Sequence, residues 1–118
     1  MNDRTHNPKI IVKSYLELEV YQLSFDLFTE VYPSSFRMPK SEMYELGSQL
    51  RHSSDFVNSN TVEGYGRRVY KNDCIKFLIY SHASNDEAIT HLRKIKVLYP
   101  NLNETDNLIE RYVRKEIK

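Results

Sequence analysis

The sequence predicts an all-α fold, an up-and-down antiparallel four-helix bundle, from three observations. Apolar residues recur at steps of three and four, the spacing of one face of a helix, and no segment shows the alternation of a strand. Only 3 Gly and 4 Pro interrupt 118 residues, which favours a few long elements. The segments between the predicted helices are short, and short loops make consecutive helices pack side by side and antiparallel.

The chain is long enough for one domain with its own core and too short for two. Residues 1–13 are mostly polar and end in the apolar run Ile10-Ile11-Val12. We expect them to form a flexible N-terminal arm, and residues 14–118 to form the bundle.

The first predicted helix runs from Tyr15 to Tyr32. Pro33 is expected to end it, since proline cannot donate the next backbone hydrogen bond. Its apolar face follows steps of four, three, four and four, and consists of Leu16, Val20, Leu23, Leu27 and Val31.

The second predicted helix begins with Ser41 as its N-cap and ends at Gly64-Tyr65-Gly66. Serine is a favoured N-cap residue, and glycine is the favoured left-handed residue just past a helix end. Two serines interrupt the apolar face, and their small side chains allow a neighbouring helix to approach closely. This face comprises Met43, Leu46, Leu50, Val57 and Thr61, with Ser53 and Ser54 between them.

Asn72 is the expected N-cap of the third helix, and Pro100 marks the end of that helix. Asn103 is expected to cap a shorter last helix. The inward residues of the third helix are Cys74, Phe77, Leu78, Ser81, Ala88, Leu92, Ile95 and Leu98, and those of the last helix are Leu108, Ile109, Tyr112, Val113 and Ile117.

Composition argues against several classes of protein. The net charge of +1 is not that of an overall basic nucleic-acid binder. Cys74 is the only cysteine, so an internal disulfide is impossible and a cysteine-based zinc site is not expected. The N-terminus lacks the apolar core of a signal peptide, and no window has the ~20 apolar residues of a membrane span. We therefore expect a cytoplasmic chain with no membrane partner.

Charge is distributed unevenly along the chain. The acidic first helix and the basic C-terminal region could be separate solvated faces. They could also be complementary surfaces that bring identical subunits together. From Ser14 to Phe36 there is no Lys or Arg, and the acids are Glu17, Glu19, Asp26 and Glu30. From His91 to Lys118 the bases outnumber the acids: the bases are Arg93, Lys94, Lys96, Arg111, Arg114, Lys115 and Lys118, and the acids are Glu104, Asp106, Glu110 and Glu116.

The sequence predicts no catalytic residues. The serines lie on predicted helices without a nucleophile turn, and no nucleophile, base and orienting residue form a recognisable motif. A di-iron bundle needs a Glu-x-x-His pair on each of two helices, and the sequence has none. His82, Asp86, Glu87 and His91 have helical spacing, but such pairs are more typical of a solvated helix surface than of a metal site. We expect no metal, no cofactor and no enzymatic activity.

The densest group of polar residues lies at the predicted end of the second helix. Asn60 and Glu63 are three residues apart and therefore lie on one side of that helix. The helix dipole disfavours a carboxylate at this end, so Glu63 is expected to pair with an arginine. The candidate partners are Arg51, Arg67 and Arg68.

Two interpretations of this group remain open. In the first, Glu63 and an arginine form an ion pair that only fixes the turn. In the second, Arg67, Arg68 and Lys71 contact an anion or a nucleic-acid phosphate. The two glycines do not make a phosphate-binding loop, because they follow a helix and lack the Gly-Lys-Ser/Thr ending.

Four segments match one family in order and spacing. Over roughly residues 14–99 the chain resembles the four-helix-bundle proteins encoded in intervening sequences of large-subunit ribosomal RNA genes. The most specific part is the Asn-x-x-Glu-Gly-x-Gly-Arg run, which in this chain comprises Asn60, Glu63, Gly64, Gly66 and Arg67. A further family position, in the third predicted helix, is Glu87. The segments are Ser14-Tyr15-x-x-Leu18-x-Val20-Tyr21-Gln22, Leu46-x-Ser48-Gln49-Leu50-Arg51, Asn60-x-x-Glu63-Gly64-Tyr65-Gly66-Arg67-Arg68, and Phe77-Leu78 through Ser84 and Glu87.

The resemblance implies a bundle that assembles into a ring of five subunits. The accessory protein of diversity-generating retroelements, a relative, forms such a ring; it is basic and works with a reverse transcriptase and nucleic acid. We also expect Glu87, which matches a family position, to be buried near Glu63.

The second helix departs from the family pattern, which weakens an inference of nucleic-acid binding. The family carries two consecutive arginines where this chain has Arg51-His52, and Val-Ser where it has Asp55-Phe56. It also carries Ala-Ala at Ser53-Ser54 and a proline at Asn58.

From the sequence we expect a non-enzymatic homo-oligomer, a pentamer by resemblance, that acts as an interaction or scaffold subunit. The alternative is weak association with RNA or DNA through the basic surfaces of an assembled ring. The residues expected to contact nucleic acid are Arg51, Arg67, Arg68 and Lys71.

Overall fold

The structure is a computed structural model that describes residues 14–117, with side chains described up to residue 114. The predicted arm, residues 1–13, lies outside the described residues. A 3-10 turn precedes five helices. The turn spans Tyr15–Glu17, and the helices are α1 Glu19–Ser34, α2 Lys40–Tyr44, α3 Leu46–Gly66, α4 Lys71–Leu98 and α5 Glu104–Ile117.

The four long helices form the predicted up-and-down bundle, and residues 14–117 contain no strand. α1 packs against α3, α3 against α4, α4 against α5, and α5 packs back against α1. α1 and α4 therefore lie diagonally across the bundle. No described helix is long and apolar enough to cross a membrane. The all-α fold class is confirmed.

α1 continues through Pro33 and ends at Ser34, beyond the predicted end. Proline at this position removes one hydrogen bond, the one that its amide would donate to the Thr29 carbonyl, and only Ser34 follows it in the helix. The amide of Ser35 still donates to the carbonyl of Val31 at 2.9 Å. The prediction that the helix stops before Pro33 was wrong.

The first three predicted helix starts are displaced by one to four residues. The predicted start at Tyr15 is a separate 3-10 turn, and α1 begins at Glu19. Ser41 and Asn72 lie inside the first turns of α2 and α4, so neither is the N-cap. Both positions are exposed, so water can satisfy the free amides of these helix starts. The cap positions are held by Pro39 and Tyr70, without a side-chain hydrogen bond.

The second predicted helix is divided into α2 and α3. The break lies at Glu45, whose φ of −101° and ψ of −84° are not helical. Directly after it, α3 packs closely against the turn that follows α1. A Cβ on Gly47 would lie 2.7 Å from the Ser35 carbonyl oxygen and 3.2 Å from Met38 Cε. The prediction of one continuous helix was wrong, because no local sequence pattern indicates this contact between distant segments.

Gly64 and Gly66 are helical, and no glycine in the described chain has a positive φ. The predicted end of the helix at Gly64-Tyr65-Gly66 is confirmed, since α3 ends at Gly66, but the left-handed conformation expected for these glycines was wrong. Gly64 is buried against α4, where a Cβ would lie 3.1 Å from Leu78 Cδ2 and 3.4 Å from the Cys74 carbonyl oxygen. Gly64 therefore permits a close helix–helix approach, and α3 ends with Arg67 at the cap position.

The end of α4 and the start of α5 agree with prediction. α4 ends at Leu98, before Pro100. α5 begins at Glu104, directly after Asn103. The buried residues of α5 include the predicted Leu108 and Tyr112.

The apolar core is concentrated at the end of the bundle where α1 leads into α3. Predicted core residues from all four long helices are buried there, including Leu27, Val31, Leu50, Leu92 and Ile95. Other predicted core residues lie closer to helix ends, where fewer neighbours cover them. Leu16, Val20 and Leu98 are exposed, and for these the prediction was wrong, whereas Leu78 is 45% exposed but contacts Gly64 of α3.

Small polar side chains join α3 to α4 towards the other end. The Ser81 hydroxyl donates to the Val57 carbonyl at 2.8 Å and lies 3.1 Å from the Thr61 hydroxyl oxygen. The Thr61 hydroxyl also donates to the Val57 carbonyl, at 2.8 Å. Buried hydroxyl groups are tolerated here because they are hydrogen-bonded. Ser53 and Ser54 are also buried, so the prediction that these serines belong to the inward face is confirmed.

The acidic first helix and the basic last helix meet within one chain. Arg111 donates to both carboxylate oxygens of Glu30, at 2.5 and 2.8 Å. These hydrogen bonds lower the pKa of Glu30 and raise the pKa of Arg111. Part of the charge complementarity therefore acts within the subunit, and its role between subunits stays a prediction. Two further ion pairs join Arg37 to Glu104 at 3.0 Å and Lys96 to Asp106 at 2.7 Å.

Candidate functional site

The turn between α3 and α4 extends beyond the other helices. Tyr112 of α5 donates to Ser54 of α3, and α5 ends five residues later. Asn58 of α3 donates to the carbonyl of Tyr21, which lies in the first turn of α1. The last residues of α3 and the first residues of α4 are therefore largely uncovered by α1 and α5. We refer to residues 62–80 as the hairpin tip.

The family motif forms an ion-pair cluster on the hairpin tip. Arg67 Nε lies 3.2 Å from Glu63 Oε1, and Arg67 Nη1 lies 3.6 Å from Asp73 Oδ2. The guanidinium also lies over the Phe77 ring, 4.8 Å from its centroid. Of the three arginines considered for Glu63, the structure therefore pairs it with Arg67. All three charged side chains are about half exposed, so their pairing adds only about 0–1 kcal/mol to stability.

Three other cations of the hairpin tip make no ion pair with a carboxylate of the described residues. Arg68 donates to the Tyr65 carbonyl at 3.0 Å, and its guanidinium lies 4.1 Å from the centroid of the Tyr65 ring. The Lys76 ammonium lies 5.6 Å from the centroid of the Phe77 ring. Lys71 is exposed at the start of α4. These three side chains are the ones available to an anion.

Arg51, the fourth predicted nucleic-acid contact, lies elsewhere. It is 16 positions before Arg67, which corresponds to about 24 Å along a helix. Its guanidinium donates to Ser35 Oγ at 2.7 Å and to the Met43 carbonyl at 3.2 Å, and it lies 4.2 Å from the centroid of the Phe36 ring. The structure therefore does not bring Arg51 together with the basic residues of the hairpin tip. It places Arg51 in the packing of the corner between α1 and α3.

The other two motif residues, Asn60 and Glu87, differ in how far they are buried. Asn60 is half-buried on α3. Glu87 is exposed, and it is nine positions from Leu78, the residue that packs on Gly64. Nine positions correspond to about 13 Å along α4. The expectation that Glu87 is buried near Glu63 was wrong, because the two residues lie at different levels of the bundle.

The histidines of α4 do not converge. His82 Nε2 lies 3.7 Å from Asp86 Oδ2, and both side chains are exposed. His91 is half-buried, and burial together with the charge of Lys94 lowers its pKa, with Glu87 acting in the opposite direction. Within the described chain, no three His, Cys, Asp or Glu side chains are grouped so as to hold a metal ion.

One open groove, of about 630 Å³, lies between α2 and the last turns of α4. It carries acids on one wall, Glu42 and Glu45, and bases on the other, Arg93 and Lys94. Its remaining walls include the exposed side chains of Val97 and Leu98. The groove does not include the family motif.

A buried polar contact links α5 to both central helices. The Tyr112 hydroxyl donates to Ser54 Oγ at 3.0 Å, and Asn85 Nδ2 donates to the Tyr112 carbonyl at 3.2 Å. All three side chains are fully buried. Asn85 was not among the residues predicted to face inward, although its spacing from Ser81 and Ala88 follows the inward side of α4. A polar residue within an apolar helical repeat was the available signal.

Two exposed apolar surfaces were also not predicted from the sequence. The first, which we call the hairpin surface, lies on the outer side of α4. The second, the aromatic surface, lies on α1 and the turn after it. The available signal was apolar residues that fall outside the inward repeat of each helix. The hairpin surface comprises Lys71, Ile75, Lys76, Ile79 and Tyr80, and the aromatic surface comprises Phe25, Asp26, Tyr32 and Phe36.

Comparison with known proteins identifies the family of the chain. A comparison with curated proteins found no match. The sequence model of one family matches residues 16–115, nearly the whole described bundle, and that family is described as 23S rRNA-intervening sequence protein. The matched range contains the entire ion-pair cluster of the hairpin tip. The chain therefore belongs to the 23S rRNA-intervening sequence protein family.

Proposed function

We propose that this protein is a non-enzymatic subunit of a cytoplasmic homo-oligomer and acts as an interaction scaffold. The observation that carries the proposal is the distribution of large apolar side chains. Fifteen of them are exposed in the described chain, whereas the buried core contains only twelve hydrophobic residues. Single exposed apolar residues are ordinary, but contiguous patches mark interaction sites.

The character of the exposed residues supports an assembly rather than a binding pocket. Phe25, Tyr32, Phe36, Phe56 and Tyr80 are all exposed aromatic side chains. Aromatic residues are enriched in protein–protein interfaces, because a large rigid ring buries much area with little loss of conformational entropy. The resemblance to the ring-forming retroelement accessory protein supports five subunits.

The motif favours a structural role over a catalytic one. Glu63, Arg67 and Asp73 neutralise one another at an exposed turn. A catalytic acid or base is usually held in a cleft that shifts its pKa, and these residues lie on an open surface. We therefore propose that the cluster fixes the hairpin tip.

Solution mass tests the proposal. We expect purified protein to give one species of about five times the 14.0 kDa chain mass in sedimentation or light scattering, and to keep that mass on dilution. The measurement should be made at low and high salt, so that weak electrostatic clustering is distinguished from a defined assembly. A single-chain mass at every concentration would contradict the proposed function, and a different defined oligomer would correct only the number.

Weak association with RNA or DNA is the second candidate, and the free cations of the hairpin tip favour it. Arg68, Lys71 and Lys76 form no ion pair with a carboxylate in the part of the chain described, and each chain of a ring would repeat them. Repetition raises the avidity of a weak site without new contacts. Tyr70, which is exposed beside them, offers a ring on which a base could stack.

Salt-dependent binding tests this second candidate. We expect the protein to retain a single-stranded oligonucleotide at low salt, with affinity falling as salt rises. Arg68→Ala should weaken binding several-fold and reduce the salt slope. Arg93→Ala removes the same charge from an exposed position in the groove, away from the hairpin tip, and is the matched control. Equal losses in both variants, or no binding at low salt, would remove this candidate.

A further inference from the structure

We propose that the groove between α2 and the last turns of α4 binds an amphipathic helix of a partner protein, whose apolar stripe has bases along one edge and acids along the other. The inference rests on the proposed scaffold function and names the chemistry of one partner. Three observations carry it: the helical spacing of the groove walls, apolar side chains that no described helix covers, and opposite charges that face each other without pairing.

The walls of the groove have the spacing of helix sides. On the α4 wall, Thr90, Lys94 and Val97 are separated by steps of four and three. The opposite wall runs from Glu42 to Gln49 and covers the same seven positions of sequence. Seven positions of α4 correspond to about 10 Å, or two helical turns. This length fits a bound helix that inserts side chains at positions i, i+3 or i+4, and i+7.

Apolar side chains form the floor and the rim of the groove. Leu46 lies at the floor and is only 8% exposed, because it also belongs to the core. Val97 and Leu98, at the end of α4, are 79% and 56% exposed. Contiguous exposed apolar side chains mark interaction sites, and no helix of the described chain covers these two. They are therefore available to the apolar stripe of an incoming helix.

The charged side chains of the groove have no partners of opposite charge. Glu42 and Glu45 lie on one wall, and Arg93 and Lys94 lie on the other. None of the four makes an ion pair with another described residue. A helix with bases along one edge and acids along the other would pair with both walls. A helix with only one sign of charge would be repelled by one wall.

The shape of the groove and the rest of the chain decide between possible occupants. The groove is open along one side, whereas small-molecule sites usually enclose most of the ligand surface. Neither exposed apolar surface of this chain offers the required helix. α1, which carries most of the aromatic surface, contains no Lys or Arg, and the charged members of the hairpin surface are Lys71 and Lys76. The occupant that matches both walls is therefore a helix of a different protein.

Binding of three fluorescently labelled peptides tests the charge pattern. Each peptide has about 18 residues, enough for an isolated helix, with leucines at steps of three and four. The first has lysines along one edge of the leucine stripe and glutamates along the other. The second has lysines along both edges, and the third has glutamates along both. In fluorescence anisotropy we expect the first peptide to bind about tenfold more tightly than either of the others.

A matched pair of variants locates the binding in the groove. Val97→Asp introduces a charge among the apolar side chains, and we expect it to weaken binding of the first peptide by about tenfold. Val69→Asp makes the same change in the hairpin tip, at a residue that is 80% exposed against 79% for Val97, and should leave binding unchanged. Circular dichroism should show that both variants retain the helical content of the parent.

Reversal of one wall gives the sharper test, because it predicts a gain of binding. The double variant Arg93→Glu/Lys94→Glu makes both walls acidic. We expect the peptide with lysines along both edges to become the tightest ligand of this variant, and the first peptide to lose its advantage. A misfolded variant would lose binding of all three peptides and could not exchange their order.

The possible results separate this inference from the proposed function. Equal binding of the three peptides, equal losses in Val97→Asp and Val69→Asp, or an order that the double variant leaves unchanged would each contradict the groove as a helix site. A Val97→Asp protein with a lower solution mass than the parent would show that a second copy occupies the groove, and would contradict the partner helix. A monomeric parent that binds the first peptide selectively would contradict only the homo-oligomer, and an oligomeric parent that binds no peptide would contradict only the groove.

Discussion

Replacement of Gly47 by valine is expected to lower the free energy of unfolding by about 3 kcal/mol, the upper end of the usual cost of overpacking. Gly47 lies in the first turn of α3, where the chain passes closest to the turn after α1. A Cβ at this position would lie 2.7 Å from the Ser35 carbonyl oxygen, a distance that side chains do not adopt. A backbone atom cannot move aside as a side-chain end can, so the corner itself must shift.

The corner that would shift is also the one that Arg51 holds. Arg51 Nη1 lies 3.3 Å from the position of the missing Cβ and donates to Ser35 Oγ. A branched side chain would therefore separate Arg51 from its partner in addition to displacing the backbone. Loss of that part-buried hydrogen bond places the expected cost at the upper end of the overpacking range, because hydrogen bonds to charged groups contribute about 1.5–3 kcal/mol.

Gly66→Ala is the matched control for this prediction. No atom lies within 4 Å of a Cβ at Gly66, and its φ is not positive. Alanine there should stabilise the protein by up to about 1 kcal/mol, because it restricts the unfolded chain and favours the helix. Urea unfolding at one fixed protein concentration measures both changes. If Gly47→Val and Gly66→Ala changed the free energy of unfolding in the same direction, the close contact proposed at Gly47 would be contradicted.

The two outcomes at glycine show what the sequence could and could not predict. The helices, their order and most inward faces follow from spacing that any local window contains, as with Leu27 and Val31 on α1. A glycine is ambiguous, because both a left-handed turn and a close helix contact favour it. Gly64 was assigned to the first use and serves the second. Only the position of Leu78, on another helix, distinguishes them.

Ion pairs show the same division between local and distant contacts. The Glu63–Arg67 pair spans four residues of helix, so its formation could be foreseen from spacing. The pair between Glu30 and Arg111 spans 81 residues. No local pattern indicates it, and the acidity of α1 therefore had two interpretations until the helices were placed. The same limit applies to Arg51, whose motif position gave no indication of its partner Ser35.

The exposed surfaces could have been recognised in part. Ile75 and Ile79 fall outside the inward repeat of α4, and this displacement is visible in the sequence. What the sequence could not give is the length of the neighbouring helices relative to α4. α4 has 28 residues and α5 has 14, so α5 is too short to cover the hairpin tip. The polar contacts among Val57, Thr61 and Ser81 then join α3 to α4 just below the hairpin tip.

Tyr112 is expected to make stability depend strongly on alkaline pH. Burial raises its pKa to about 12, with the Ser54 hydrogen bond and the charge of Arg111 acting in the opposite direction. The unfolded chain would ionise this tyrosine near its ordinary pKa of about 10. The stabilisation is therefore complete below about pH 10 and is lost as pH rises towards 12, because only the unfolded state releases the proton in that range. A difference of two pKa units corresponds to about 3 kcal/mol at the upper end.

Tyr112→Phe gives a test in which two stability curves cross. At neutral pH the variant should be about 1 kcal/mol less stable than the parent, because it loses the hydrogen bond to Ser54. Near pH 11 to 12 it should become the more stable protein, since phenylalanine has no proton to release. Tyr44→Phe, at an exposed position, is the control and should follow the parent at every pH.

Parallel curves for Tyr112→Phe and the parent would contradict the crossing, and would mean that the phenol is not buried as the structure shows. The crossing is informative about the bundle because Tyr112 joins α5 to two other helices. Its hydroxyl reaches α3 through Ser54, and its carbonyl accepts from Asn85 on α4. An ionised Tyr112 would have to leave this position, and α5 would separate from both partners. Alkaline unfolding should therefore begin at α5, and hydrogen exchange of its amides should increase before exchange in the α3–α4 hairpin.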